Sequence, residues 1–236
     1  MISGKRVLAM IPARAGSKSV PRKNLVRIGG QTLIEHAVLQ ARGTGLIDRV
    51  IVSTDGEEIA EEALRVGAEV YMRPDHLATD TALVIDTVRY LCDKLRGEGE
   101  LATYMTMLEA TTPLRQPEDI IACLELLDRD SLDSVTTFKV ADLNPFRAWR
   151  LERSGPMPFI DGAVPWLPRQ SLPLAYQLTG AVYAFVIDAL SRDVDGLLFG
   201  ISGAIVVDRS RSVDIDDAID LMVVRALHGG KISSEC

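Results

Sequence analysis

Short apolar runs and stretches of helical period take turns along the first 140 residues. RVLAMIPA (6–13) is a continuous apolar run closed by Pro, the mark of a strand covered on both faces. In TLIEHAVLQAR (32–42), Leu33, Ile34, Ala37, Val38 and Ala41 share one helical face. DRVIVST (48–54) reads as a second strand. DGEEIAEEALRVG (55–67) reads as a helix with acids in its first turn and Gly past its end, and AEVYM (68–72) as a third strand. DTALVIDTVRYLCDKL (80–95) predicts a long helix with Asp80 as its N-cap. A strand at ATYMTML (102–108), a helix opened by Pro at PEDIIACLELLD (117–128) and a strand at DSVTTFKV (133–140) follow. Strands alternating with helices predict an α/β fold of right-handed βαβ units around a mostly parallel sheet.

The pattern breaks at 141–178, a Pro-rich stretch of little periodicity that holds both tryptophans, Trp149 and Trp166. It is too long for an ordinary connection and reads as an excursion from the sheet. GAVYAFVI (180–187) and AIVVD (204–208) return to strand, and DDAIDLMVVRAL (216–227) is the last helix. The expected organisation is one domain over 1–236 with the excursion inside it.

Charge adds an asymmetry. The chain of 236 residues carries a net −7, which excludes a general nucleic-acid binder. Yet no acid precedes Glu35, while Lys5, Arg6, Arg14, Lys18, Arg22, Lys23 and Arg27 give the first 34 residues +7. A basic focus on an acidic body suits a small polyanion. Cys92, Cys123 and Cys236 share no metal-ligand spacing, and an odd count without CxxC fits a reducing compartment. No apolar run reaches the length of a signal peptide core or a membrane span, so the protein is expected in the cytoplasm.

Most of that basic focus lies in IPARAGSKSVPRKN (11–24), directly after the first strand. A Gly/Ser-rich loop at the carboxyl edge of a parallel sheet is where such folds bind nucleotides, because backbone N–H groups there cradle phosphate. Neither GxxxxGK[ST] nor GxGxxG is present, so the loop is no Walker P-loop and dinucleotide binding is unsupported. On composition alone the lesser alternative is that the bases are solvated loop charges. In VDID (213–216), residues i and i+2 of an extended segment point the same way, so Asp214 and Asp216 present two carboxylates together. They read either as a Mg²⁺ site, since Mg²⁺ takes one or two carboxylates plus phosphate oxygens, or as part of a cap, with Asp216 or Asp217 capping the last helix.

IPARAGSKSVPRKN resembles the signature of the acylneuraminate cytidylyltransferases, the CMP-sialic acid synthetase family. VSTDGEEIAEEA (52–63), RPDHLATDTA (73–82), TTPLR (111–115), RQSLPLAYQLTGAVY (169–183) and VDIDDAID (213–220) follow in family order over nearly the whole chain. The resemblance implies a Rossmann-like nucleotidyltransferase fold. It also implies attack of the anomeric hydroxyl of a 3-deoxy-2-ulosonic acid on the α-phosphorus of CTP, with pyrophosphate leaving and Mg²⁺ assisting. Carried over by position, Arg14 and Lys18 hold the triphosphate, with Lys18 stabilising the transition state. Lys23 is a second phosphate-side cation, Asn24 a polar contact to the nucleotide, and Gly16 and Ser17 let the backbone approach. Arg73 lies near the cytosine, and the Ala82 backbone reads the base edge. Asp214 and Asp216 hold the metal, and Asp214 is also a candidate to take the sugar hydroxyl's proton. The excursion implies a homodimer in which Lys139 and Arg169 reach the partner's sugar pocket. His36, His76 and His228 match no catalytic position.

Two departures bear on the sugar. Glu109-Ala110 stands where relatives carry Gln-Pro, at a position facing the sugar, and Thr179 stands where they carry Asn. A carboxylate at 109 repels a sugar acid unless it meets hydroxyls or a cationic substituent, or is held by an Arg. The expectation is therefore a nonulosonic acid other than plain N-acetylneuraminate, of legionaminic or pseudaminic type. The rivals are a guanylyltransferase acting on a related acid and a non-catalytic nucleotide-binding module.

Overall fold

A computed structural model describes residues 1–230; Cys236 lies outside them. In chain order the elements are β1 (Val7–Pro12), β2 (Arg27–Ile28), β3 (Gln31–Thr32), α1 (Leu33–Gly43), β4 (Arg49–Thr54), α2 (Glu57–Arg65), β5 (Glu69–Met72) and α3 (Val84–Gly97). They continue with β6 (Tyr104–Met107), α4 (Pro117–Arg129), β7 (Ser134–Val140), β8 (Trp149–Glu152), β9 (Gly155–Pro158), β10 (Tyr176–Val186), β11 (Ser202–Val206) and α5 (Ala218–His228). Seven strands form one sheet in the order β11-β7-β10-β6-β1-β4-β5. All neighbours are parallel except β10, which runs antiparallel between β6 and β7.

Alternation within β1 explains why the sheet is covered on both sides. Val7, Ala9 and Ile11 pack into one core with Leu33, Ile34, Val38, Ile120, Cys123 and Leu127 of α1 and α4. Leu8 and Met10 pack into the other with Ile85, Val88, Leu91 and Cys92 of α3. Every one of these side chains is at most 7% exposed, so β1 is the axis on which both layers are built. The two cysteines are inert core thiols, their pKa raised by burial.

The helix expected from Asp80 starts instead at Val84, with Leu83 as its N-cap residue. Residues 79–82 make a turn closed by the Ala82 N–H on the Thr79 carbonyl (3.3 Å), and the Asp80 side chain leaves the helix altogether for two cations. At the last helix Asp217 is the cap, accepting from the Ile219 and Asp220 N–H groups, which leaves Asp216 uncommitted to capping. The excursion contains a two-stranded hairpin, β8–β9, and its end is the first part of β10: Tyr176–Leu178 pair with Val140–Phe138 before the register shifts between Leu178 and Tyr183.

Candidate active site

The parallel strands deliver their following loops to one edge of the sheet. The loop after β1 is pinned there from two sides: the Ala13 N–H donates to Ser53 O and the Ala15 N–H to the Asp55 carboxylate, both at 2.9 Å. Asn24 is buried and closes the loop on itself by donating to the Arg14 carbonyl (2.9 Å). After β5, Arg73 lies buried with its guanidinium on Ser53 O (2.5 Å) and Leu77 O (3.4 Å), and burial pushes its pKa down.

The loop after β6 turns on Arg115, fully buried, whose guanidinium donates to the carbonyls of Glu109 (3.2 Å) and Ala181 (2.5 Å), to Thr112 Oγ1 (3.1 Å) and to Gln40 Oε1 (2.9 Å). Without a carboxylate on it, burial lowers this guanidinium to about 10, still charged at neutral pH. The sequence reading gave Arg115 no role of its own. TTPLR in front of a helix that opens on Pro was the available signal, because an Arg inside an otherwise apolar stretch has to be paid for by hydrogen bonds.

The C-terminal segment joins from far along the chain. The Ile215 N–H donates to Thr111 O (2.9 Å), Lys23 Nζ donates to Ile215 O (2.7 Å), and Ser19 Oγ donates to Asp216 O. Lys23 also stands 3.7 Å from the Asp216 carboxylate. The result is a cavity of about 480 Å³, in which Arg14, Ser17, Lys18, Lys23, Asn24, Arg73, Ala82, Glu109, Asp214 and Asp216 all take part. Gly16 lies in the loop beside it but not on its wall. Lys139 and Arg169 are not brought to it: Lys139 pairs with Asp142 (2.8 Å), and Arg169 lines a separate hollow with Val140, Ala141 and Asp142. Neither lines the cavity of its own chain; the expectation assigns them to a partner's sugar pocket. Arg22 pairs with Glu58 outside the cavity. His36 is buried and bonded to Ile28 O at 2.9 Å.

Both signs of charge meet in the cavity. Arg14, Lys18 and Lys23 bring positive charge, and Lys23 stands directly beside the acidic segment. Asp214 and Glu109 are carboxyls that burial makes reluctant to ionise: Asp214 is raised by burial and by neighbouring Asp216, and Glu109 is raised to about 7 by burial and by Asp214. The Glu109 carboxyl rests against Gly180, where an added Cβ would stand 3.2 Å from its Cδ, and Gly180 has φ +72°. Only glycine meets both demands without strain. Thr179 beside it turns away: buried, it pairs with the Thr137 hydroxyl (2.6 Å) and accepts from the Ala181 N–H (3.2 Å), so it braces the register shift in β10 and does not line the cavity. Asp214 Oδ1 is buried without a hydrogen-bond partner. That oxygen and the exposed Asp216 fit a cation that takes two carboxylates and completes its shell with phosphate and water, and among the described residues no cluster of three His, Cys, Asp or Glu offers an all-protein cage.

Cations gathered by a strand-exit loop, meeting a carboxylate pair in one polar cavity at the carboxyl edge of a parallel sheet, define a nucleotidyltransferase. A family model described as Cytidylyltransferase matches residues 8–148, and the chain belongs to that family. The chain is 32% identical over 226 residues to post-translational flagellin modification protein B of Campylobacter coli, with 94% of each covered. It is 31% identical to the CMP-N,N'-diacetyllegionaminic acid synthase of Legionella pneumophila (94% of this chain, 96% of that one). It is 28% identical to the pseudaminic acid cytidylyltransferase of Campylobacter jejuni (94% and 95%). Among solved structures, a CMP-2-keto-3-deoxy-manno-octonic acid synthetase complexed with CTP superposes with TM-score 0.69 at 20% identity, covering 96% of this chain and all of that one, which shows the shared fold. No helix among the described residues is long and apolar enough to cross a membrane.

Proposed function

We propose that this cytidylyltransferase activates a nonulosonic acid of the legionaminic or pseudaminic type with CTP, giving the CMP-sugar and pyrophosphate. The observation that carries the reading is the meeting of Arg14, Lys18 and Lys23 with Asp214 and Asp216 in one cavity, in a chain 31% identical over nearly its full length to a CMP-N,N'-diacetyllegionaminic acid synthase. The sugar's anomeric oxygen attacks the α-phosphorus and the bond to the pyrophosphate oxygen breaks. Phosphoryl transfer of this kind asks the protein for alignment and for neutralisation of charge. Lys18, 81% exposed in its side chain and paired only with Asp80, follows the charge as it moves onto the leaving group once that pair opens, while Arg14 and Lys23 fix the polyphosphate. Asp214 and Asp216 would hold Mg²⁺, which supplies charge stabilisation at the phosphate oxygens. The Ala82 N–H is engaged in its turn, which leaves the Ala82 carbonyl for the base; an acceptor there suits the cytosine amino group.

Glu109, raised to about 7, holds its proton at lower pH, and in that form tolerates the substrate's carboxylate and offers an O–H to an acyl or hydroxyl oxygen. A homodimer through the excursion accounts for Leu151 (84% exposed), Trp166 (81%) and Leu174 (67%), apolar side chains in water, and would give Lys139 and Arg169 a sugar carboxylate in the partner. The protein incubated with Mg²⁺ and either CTP or GTP, against a panel of ulosonic acids, tests the reading by mass detection of the nucleotide-sugar. CMP-legionaminate or CMP-pseudaminate is the expected product. Faster turnover of N-acetylneuraminate, or turnover with GTP only, would overturn it.

A further inference from the structure

Asp80 is the acid that the sequence pattern assigns to a helix cap and the fold does not use as one. Its two carboxylate oxygens are divided between two cations: Oδ1 accepts from Arg14 NH1 at 2.6 Å, and Oδ2 pairs with Lys18 Nζ. The carboxylate has no other hydrogen-bond or ion-pair partner among the described residues. It therefore sits between the two cations in the manner of a bridging phosphate, inside the same cavity. All three side chains reach solvent, with Lys18 81%, Asp80 45% and Arg14 37% exposed, so the arrangement is opened at small cost. The turn that carries Asp80 runs from Thr79 to Ala82, and both of those residues also line the cavity. Arg73 anchors the base of that turn through Ser53 O and Leu77 O, so Asp80 can swing outward without dragging the strand behind it.

We infer that Asp80 is a displaceable counter-anion, which holds Arg14 and Lys18 in position in the free enzyme and competes with pyrophosphate for them, setting how tightly the leaving group is retained. The inference rests on the reading of the cavity as a polyphosphate site. A triphosphate of roughly four negative charges displaces the single carboxylate readily. After the reaction, pyrophosphate must leave the same cations, and an acid on a tethered turn, always at high local concentration, speeds its departure. Asp80 is thus a positioning residue whose removal tightens binding of an anion, where loss of an ordinary binding residue weakens it.

Titration calorimetry with inorganic pyrophosphate alone, and separately with cytidine, on the wild type and the Asp80→Asn, Asp80→Ser and Lys18→Ala variants tests this. The apparent pyrophosphate dissociation constant rises by the inverse of the open fraction, so removal of the competitor lowers it, here by about three- to tenfold for two exposed ion pairs. Cytidine, which has no phosphate, is expected to bind all variants alike. Pyrophosphate affinity unchanged or weakened in both Asp80 variants, while Lys18→Ala weakens it, would overturn the inference and leave the phosphate site standing. Equal tightening of cytidine would also overturn it, because the effect would then be a general one. If Lys18→Ala leaves pyrophosphate binding unmoved, the polyphosphate site itself is wrongly assigned.

Discussion

Replacing Glu109 by Gln isolates the proton that the cavity keeps on this carboxyl. Glu109 is largely enclosed by the loop after β6 and by Gly180, and burial followed by the charge on Asp214 lifts it from 4.5 to about 7. The folded protein therefore binds one more proton than the unfolded chain between about pH 4.5 and pH 7. Stability against unfolding falls with pH wherever the native state holds the extra proton, so this contribution is intact below about pH 4.5 and is lost as the pH rises through about 7. At about 1.4 kcal/mol for each pH unit, the full loss comes to about 3 kcal/mol. Glutamine has the same shape and no titration, so subtracting the variant's stability cancels the ionisable groups that do not interact with Glu109. Urea unfolding of both proteins at pH 5, 6, 7 and 8, in EDTA to keep divalent cations from Asp214, yields the difference. The wild type should lose about 2.5 kcal/mol relative to Glu109→Gln across that range, nearly all of it by pH 7. Two stability curves that stay parallel to within about 0.5 kcal/mol would refute the claim that the site protonates Glu109.

Three further outcomes are expected. Lys18→Ala should lower kcat about 10²- to 10³-fold, the usual cost of removing one charge-stabilising donor, without moving the melting temperature, because the side chain is mostly in water; pyrophosphate release and a thermal melt read the two. Asp214→Asn should raise the Mg²⁺ concentration needed for half-maximal turnover, seen in a metal titration at saturating CTP, more than Asp217→Asn does, since Asp217 is committed to the cap of α5. Arg115→Met should cost about 3–5 kcal/mol in urea unfolding, because it strands the Glu109 and Ala181 carbonyls and Gln40 Oε1 in a fully buried place.

The chain wrote its alternating layers plainly, since β1, β4 and β6 are apolar on both faces and the helices between them carry one apolar stripe. The direction of β10 was not legible: apolar periodicity is the same read forwards or backwards, and the strand enters between β6 and β7 from the excursion. The short β2–β3 hairpin also escaped, although Gly29-Gly30, both at positive φ, is the turn signal that marks such a ribbon. Within the site, the gathering of Arg14, Lys18, Lys23, Asp214 and Asp216 followed from motif order. Asp80 misled because an acid upstream of a helical run has two equally good local explanations, and only the distance to Arg14 and Lys18, 66 and 62 positions away, decides between them. Thr179, the departure from Asn before GAVY, has its hydroxyl engaged inside the sheet.

The bond from Lys23 to the Ile215 carbonyl spans 192 residues. A ribosome emitting roughly 5–20 residues per second makes the basic loop about 10–40 s before it makes the acidic pair. Throughout that interval a growing chain carries Arg14, Lys18 and Lys23 without Asp214 and Asp216. The proposed cavity therefore cannot close until synthesis has passed Asp216, and any product cut short before Val213 lacks both carboxylates.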